Sequence, residues 1–179
     1  MLRTDKPIYK VILTLNLLFI ATGVIINVTN FDTSNTIRML YRIVDIVSLL
    51  FALFYILYGY VKNAAGYYKI FGYLFVLSKV ITTISAFNPP TPVITYVTSA
   101  VALISTLVLA FVKDLGKKLS FVLCGALVLI ELINCGLVYS YYGTFAWVIK
   151  TRAIDLDIAC LYGILTYAKY LDKAERGTK

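Results

Sequence analysis

Leu49-Leu50-Phe51-Ala52-Leu53-Phe54 sets six apolar residues in a row with no alternation. A strand with one buried face, including a strand of a membrane barrel, alternates with period two, so this run reads as helix. Worked outward, the apolar stretch extends over residues 40–61. About 20 apolar residues in a helix cross a hydrocarbon core of about 30 Å. Stretches of the same kind occupy 10–29, 67–87, 93–112, 119–140 and 147–168. The chain of 179 residues is 60% hydrophobic and only 15% charged, and its longest connection, 30–39, has ten residues. A soluble domain would carry about 25% charged residues. The expected fold is therefore an all-α integral membrane protein of one domain, 1–179, with six transmembrane helices arranged as three helical hairpins.

Basic residues in short connections set orientation, because they stay on the cytoplasmic side. Arg3, Lys6, Lys10, Lys62, Lys69, Lys113, Lys117, Lys118, Lys169, Lys173, Arg176 and Lys179 fall on one side, twelve of the seventeen basic residues. Arg38, Arg42, Lys150 and Arg152 fall on the other, and Lys79 lies within a span. Both termini are thus expected in the cytoplasm, and the location is a cell membrane (the cytoplasmic membrane in a bacterium). The net charge of +8 belongs to a rim facing anionic headgroups, with no nucleic-acid partner implied. The first span is longer than a signal-peptide core and lacks a small-x-small cleavage site, so it reads as retained. The Asn27-Val28-Thr29 sequon at its end reads as a chance match.

The cysteines Cys124, Cys135 and Cys160 all lie in the last two spans, with no CxxC and no His anywhere. They read as small buried side chains, and no metal or other cofactor is implied. Short self-similarities suggest a duplicated hairpin. Arg42-Ile43-Val44-Asp45 opens span two and Arg152-Ala153-Ile154-Asp155 opens span six, 110 residues later. Pro7, Pro89, Pro90 and Pro92 all lie outside the spans, so the helices are expected to be continuous. Any binding site must then be built from side chains.

Polar residues at spacings of three and four mark one face of several spans. Span one carries Asn16, Gly23 and Asn27; span four carries Thr95, Thr98, Ser99, Ala102, Ser105 and Thr106; span five carries Cys124, Glu131, Asn134 and Cys135. Such stripes permit close helix contact, which needs no ligand. The charges are harder to absorb. Arg42, Asp45, Lys79, Glu131, Arg152, Asp155 and Asp157 would occupy the middle and outer half of the bundle. Each costs about 2.5–3.5 kcal/mol at the bilayer centre on insertion scales, and such residues mark ion, proton or solute routes. A structural reading stands beside the functional one: Arg42–Asp45 and Arg152–Asp155 are i,i+3 pairs near the outer headgroups, and Lys79–Glu131 is an interhelical pair.

The functional expectation is a polar pocket open to the outside. Lys79 and Glu131 form its floor, Asp45, Asn134, Arg152 and Asp155 line it, and Trp147 and Tyr142 form an aromatic lid. Asp155 and Asp157 face nearly opposite ways, so at most one of them joins. In size and topology the chain resembles the substrate-binding subunits of energy-coupling-factor importers, although the AxxxA-type motif of their first helix is absent. The resemblance implies capture of a small solute. In layout alone it also resembles small three-hairpin membrane proteins of acid resistance, which fits a non-catalytic scaffold or accessory subunit binding partner helices or a second copy. An enzyme is not expected, because no nucleophile accompanies Glu131 and Lys79 and no catalytic motif is present. The inner loops are too short to hold an ATPase, so any energy source would be a gradient or another subunit.

Overall fold

The computed structural model describes residues 7–31, 33–59, 65–86, 93–112 and 115–177, and no strand occurs among them. Its helices are α1 (Pro7–Thr29), α2 (Thr36–Gly59), α3 (Ala65–Ala86), α4 (Val93–Phe111), α5 (Lys117–Tyr142), α6 (Phe145–Thr151) and α7 (Ala153–Gly177). Four of them, α1, α2, α4 and α5, are long and apolar enough to cross a membrane. Pro89, Pro90 and Pro92, expected as a turn, lie outside the described residues. So do Arg3, Lys6, Lys62, Lys113 and Lys179 of the orientation argument.

The first five helices sit on the first five apolar stretches. The sixth stretch corrects the expectation of continuous helices: it is split into α6 and α7 at Arg152, whose φ of −130° and ψ of −22° leave the helical region. No Pro or Gly lies there. Instead the Arg42 guanidinium donates through Nη2 to the Lys150 carbonyl at 2.5 Å, taking an acceptor that helical pairing would otherwise use. A side chain inserted into the backbone ladder is a sufficient cause for a break. The α5–α6 turn has a separate device: Gly143 adopts φ +69° and its N–H donates to the Tyr139 carbonyl at 2.7 Å, a left-handed cap that glycine takes without a Cβ penalty.

The long helices form a ring in chain order. α1 packs on α2, α2 on α3, α3 on α4, α4 on α5 and α5 on α7, while α7 closes against α1 and also touches α2 and α3 across the ring. α7 is accordingly the enclosed helix. Ile154, Ile158, Ala159, Leu161, Tyr162 and Leu165 are all buried, and among the described residues its one large exposed apolar side chain is Tyr167. The other long helices turn apolar faces outward, for example Leu18 and Ile25 on α1, Leu50 and Leu57 on α2, Ile84 on α3, Val97 and Ile104 on α4, and Val122 and Leu129 on α5. Surface of that kind fits lipid and does not fit water.

The polar stripes face the other way. Asn16 and Asn27 of α1, Thr95, Ser99, Ser105 and Thr106 of α4, and Glu131 and Asn134 of α5 are all buried inside the bundle. Glycine allows the closest approach at Gly23, where an added Cβ would lie 2.7 Å from Asp157 Oδ2 and 2.9 Å from Leu49 Cδ1. Gly23→Ala is therefore expected to destabilise the protein by about 1–3 kcal/mol through overpacking. Gly136→Ala, where a Cβ meets nothing within 4 Å, should be neutral or slightly stabilising. Unfolding both variants in detergent checks the contrast, and equal stability of the two would remove the claimed contact between α1, α2 and α7.

Candidate functional site

Between the middle of the ring and the end where α7 begins, the ammonium of Lys79, on α3, lies between carboxylates from two other helices. Its Nζ is 2.6 Å from Glu131 Oε1 on α5 and 2.9 Å from Asp155 Oδ1 on α7. Tyr41 on α2 donates its hydroxyl to the same Asp155 oxygen at 3.1 Å. Arg152 Nη1 stands 3.7 Å from Asp155 Oδ2, an ion pair without a hydrogen bond. The face of Phe75 lies 5.4 Å from the Lys79 nitrogen, one turn along α3. Glu131 also accepts from Asn134 Nδ2 at 3.3 Å, and Asn134 Oδ1 accepts from Thr98 of α4 at 2.6 Å. The ion cluster thus ties α2, α3, α4, α5 and α7 together at one level.

The cluster is shut off from solvent. Lys79 is 2% exposed, Glu131 1%, Asp155 0%, Asn134 1% and Asp45 0%. The expectation of a pocket standing open to the outside is corrected to this extent: the residues assigned to its floor are enclosed by one another. The reason is electrostatic. Charges in a dry interior attract strongly and find their partners, because leaving them unpaired costs several kcal/mol.

Two further carboxyls have no cation at hydrogen-bonding distance among the described residues. Asp45 accepts from Ser78 Oγ at 2.7 Å through Oδ1, while its Oδ2 has no partner there. It faces the same cluster, with Asp155, Arg42 and Lys79 as the charges acting on it. Asp157 turns to α1 instead, accepting from Thr22 Oγ1 at 2.7 Å, with Oδ2 unpartnered against Gly23. Asp155 and Asp157 do face apart, and Asp155 is the member of the ion cluster.

The i,i+3 pair of Arg42 with Asp45 does not form. Arg42 is 4% exposed and donates to Asn27 Oδ1 at 3.3 Å and to the Lys150 carbonyl, so it is buried among other helices and not paired with Asp45. The Lys150 carbonyl, near the end of α6, takes the guanidinium. The two Arg-x-x-Asp motifs therefore have different partners. Trp147 and Tyr142 are apart from the cluster in kind: their rings stack on each other at 4.8 Å and 19°, both are exposed, and Lys150 lies 5.5 Å from the Trp147 ring.

The chain matches no protein-family model, no curated protein and no solved structure. Its function must be read from this geometry alone. No group of His, Cys, Asp and Glu suited to a metal ion occurs among the described residues.

Three contributors were not singled out as site residues from sequence: Tyr41, Ser78 and Thr98. Signals were present for each. Tyr41 and Asp45 are i,i+4 on α2, Ser78 adjoins Lys79, and Thr98 belongs to the inward stripe of α4. A hydroxyl at the level of an intramembrane charge is a natural donor to it.

Proposed function

We propose that this chain is a six-span membrane protein, with α3 and the α6–α7 pair completing the bundle and both termini in the cytoplasm, that binds and moves a small solute or ion through the Lys79–Glu131–Asp155 cluster. The observation that carries the reading is the Lys79 ammonium held by two carboxylates from separate helices, with the unpartnered Asp45 oxygen facing the same cluster. A site that accommodates a lysine ammonium is complementary to a cation, so the solute is a proton, a small metal cation or an ammonium compound. In this account Lys79 is the occupant of the closed state. An arriving cation competes with it for Glu131 and Asp155, while Arg152 and Asn134 hold the carboxylates in place. The protein is not an enzyme in this reading. Inward-facing stripes support it over a scaffold whose stripes would face lipid and partner helices. The accessory-subunit reading keeps one supporting observation, the enclosure of the cluster, which suits a purely structural lock.

A thermal-shift screen of the purified protein against sodium, lithium, methylammonium, choline and diamines at two pH values tests the proposal. A ligand that binds only the folded protein, present at a hundred times its Kd, adds about 2.7 kcal/mol of apparent stability. At least one cation should raise the melting temperature, and the shift should vanish in Lys79→Met/Glu131→Leu and in the milder Asp45→Asn. A folded wild type with no shift from any cation would transfer the assignment to the accessory subunit.

A further inference from the structure

The opposite end of the ring carries a second polar assembly that the cation site does not use. Tyr68, in the first turns of α3, bonds Thr166 of α7 through its hydroxyl at 2.7 Å. Tyr170 of α7 donates to the Leu115 carbonyl at 2.6 Å and lies 2.9 Å from Ser120 Oγ of α5. The two rings are thus fixed by bonds to neighbouring helices, and together they form a shelf. The Lys169 ammonium lies over it, 4.7 Å from the Tyr68 centroid and 5.7 Å from that of Tyr170.

Lys169 is not alone. Lys69 follows Tyr68 directly, Lys173 is one turn beyond Lys169, and all three are exposed. The charges of Lys173 and Lys69 both act on the Lys169 ammonium, so the three groups share one field. Lys10, Lys117 and Lys118 add charge at the same end from α1 and α5. Like charges gathered beside a lysine that two scaffold-bonded tyrosines hold in place are a cost that an anion removes. Beside them α3 begins at Ala65. A helix start turns backbone N–H groups toward such an anion.

We propose that the junction of α3 and α7 binds the phosphate of an anionic phospholipid headgroup, held by Lys69, Lys169 and Lys173 over the Tyr68–Tyr170 shelf. A lipid is the source because the shelf lies at the end of two helices whose bundle is coated with apolar side chains, which is where acyl chains would run. Each lysine near an anionic surface strengthens attraction several-fold, so three acting together give roughly a hundredfold preference for an anionic over a zwitterionic headgroup.

Native mass spectrometry of the detergent-purified full chain, incubated with phosphatidylglycerol or phosphatidylcholine, reads this directly. The wild type should retain phosphatidylglycerol preferentially. Lys69→Gln/Lys169→Gln/Lys173→Gln should lose that preference about tenfold or more, whereas Lys10→Gln/Lys117→Gln/Lys118→Gln, with the same change in net charge, should keep it. Equal loss in both triple variants would overturn the site in favour of diffuse charge. Inorganic phosphate displacing the lipid at millimolar concentration would overturn the lipid assignment in favour of a free anion.

Discussion

Lys79→Met is expected to be among the most damaging single substitutions at the ion cluster, costing about 3–5 kcal/mol, because removing one partner leaves uncompensated charge in a dry interior. The geometry says why this position exceeds Glu131. Lys79 neutralises two carboxylates at 2.6 and 2.9 Å, so its loss strands both. Glu131→Leu leaves Lys79 with Asp155, and its cost should be smaller. Spacing alone pairs Lys79 with Glu131 and would make the two substitutions equivalent; Asp155, as a second partner of Lys79, makes them unequal. Adding Glu131→Leu to Lys79→Met should recover part of the loss, since one of the two stranded carboxylates is removed. Chemical unfolding of the four proteins in detergent decides it. A double variant no more stable than Lys79→Met would show that the two side chains do not act as a pair.

Tyr162→Ala should cost about 3 kcal/mol or more by a different mechanism, the loss of packing at the centre of the ring. Tyr162 is 1% exposed, and its ring lies 5.4 Å from Phe71, 5.8 Å from Phe75 and 5.6 Å from Tyr68. In a bilayer the helices gain little from the hydrophobic effect against each other, so dispersion contacts of this kind carry the association of helices. The same rings separate the ion cluster, through Phe75 under Lys79, from the lysine end, through Tyr68 under Lys169. Gly72 makes room for Tyr162: a Cβ there would fall 2.8 Å from its hydroxyl oxygen. Tyr162→Ala compared with exposed Tyr167→Ala on the same helix isolates the packing contribution, and similar melting temperatures for the two would contradict the enclosed position of α7.

Helix positions were legible in the sequence because long apolar runs have few alternatives in a bilayer, where every backbone group must be bonded within its own segment. Lys79 and Glu131 were legible as partners because both sit deep in otherwise apolar stretches, where an isolated charge is too costly to remain alone. The break at Arg152 was not legible. It contains neither Pro nor Gly, and it arises from Arg42, more than 100 residues away, capping the Lys150 carbonyl. For the same reason the local Arg42–Asp45 pairing failed: spacing shows which partners are within reach, not which one the packed ring supplies. The sequence showed only that Asp155 and Asp157 face apart; the direct bond of Asp155 to Lys79 depends on α7 lying inside the ring, which no periodicity reports. The aromatic cluster at the end of α5 is equally a matter of tertiary placement. Its rings stack on each other in exposed positions, as interfacial aromatics do.

The central claim is that the cluster enclosed by α2, α3, α5 and α7 opens to admit a cation. Modification of vesicle-reconstituted protein by a water-soluble carbodiimide, located by mass spectrometry, tests it most directly. The account predicts slow labelling of Glu131 or Asp155 in the folded protein, suppressed by the cation that stabilises it in the thermal screen. Complete resistance of both carboxyls over hours, with ready labelling once the protein is denatured, would contradict it and leave the cluster as a structural lock.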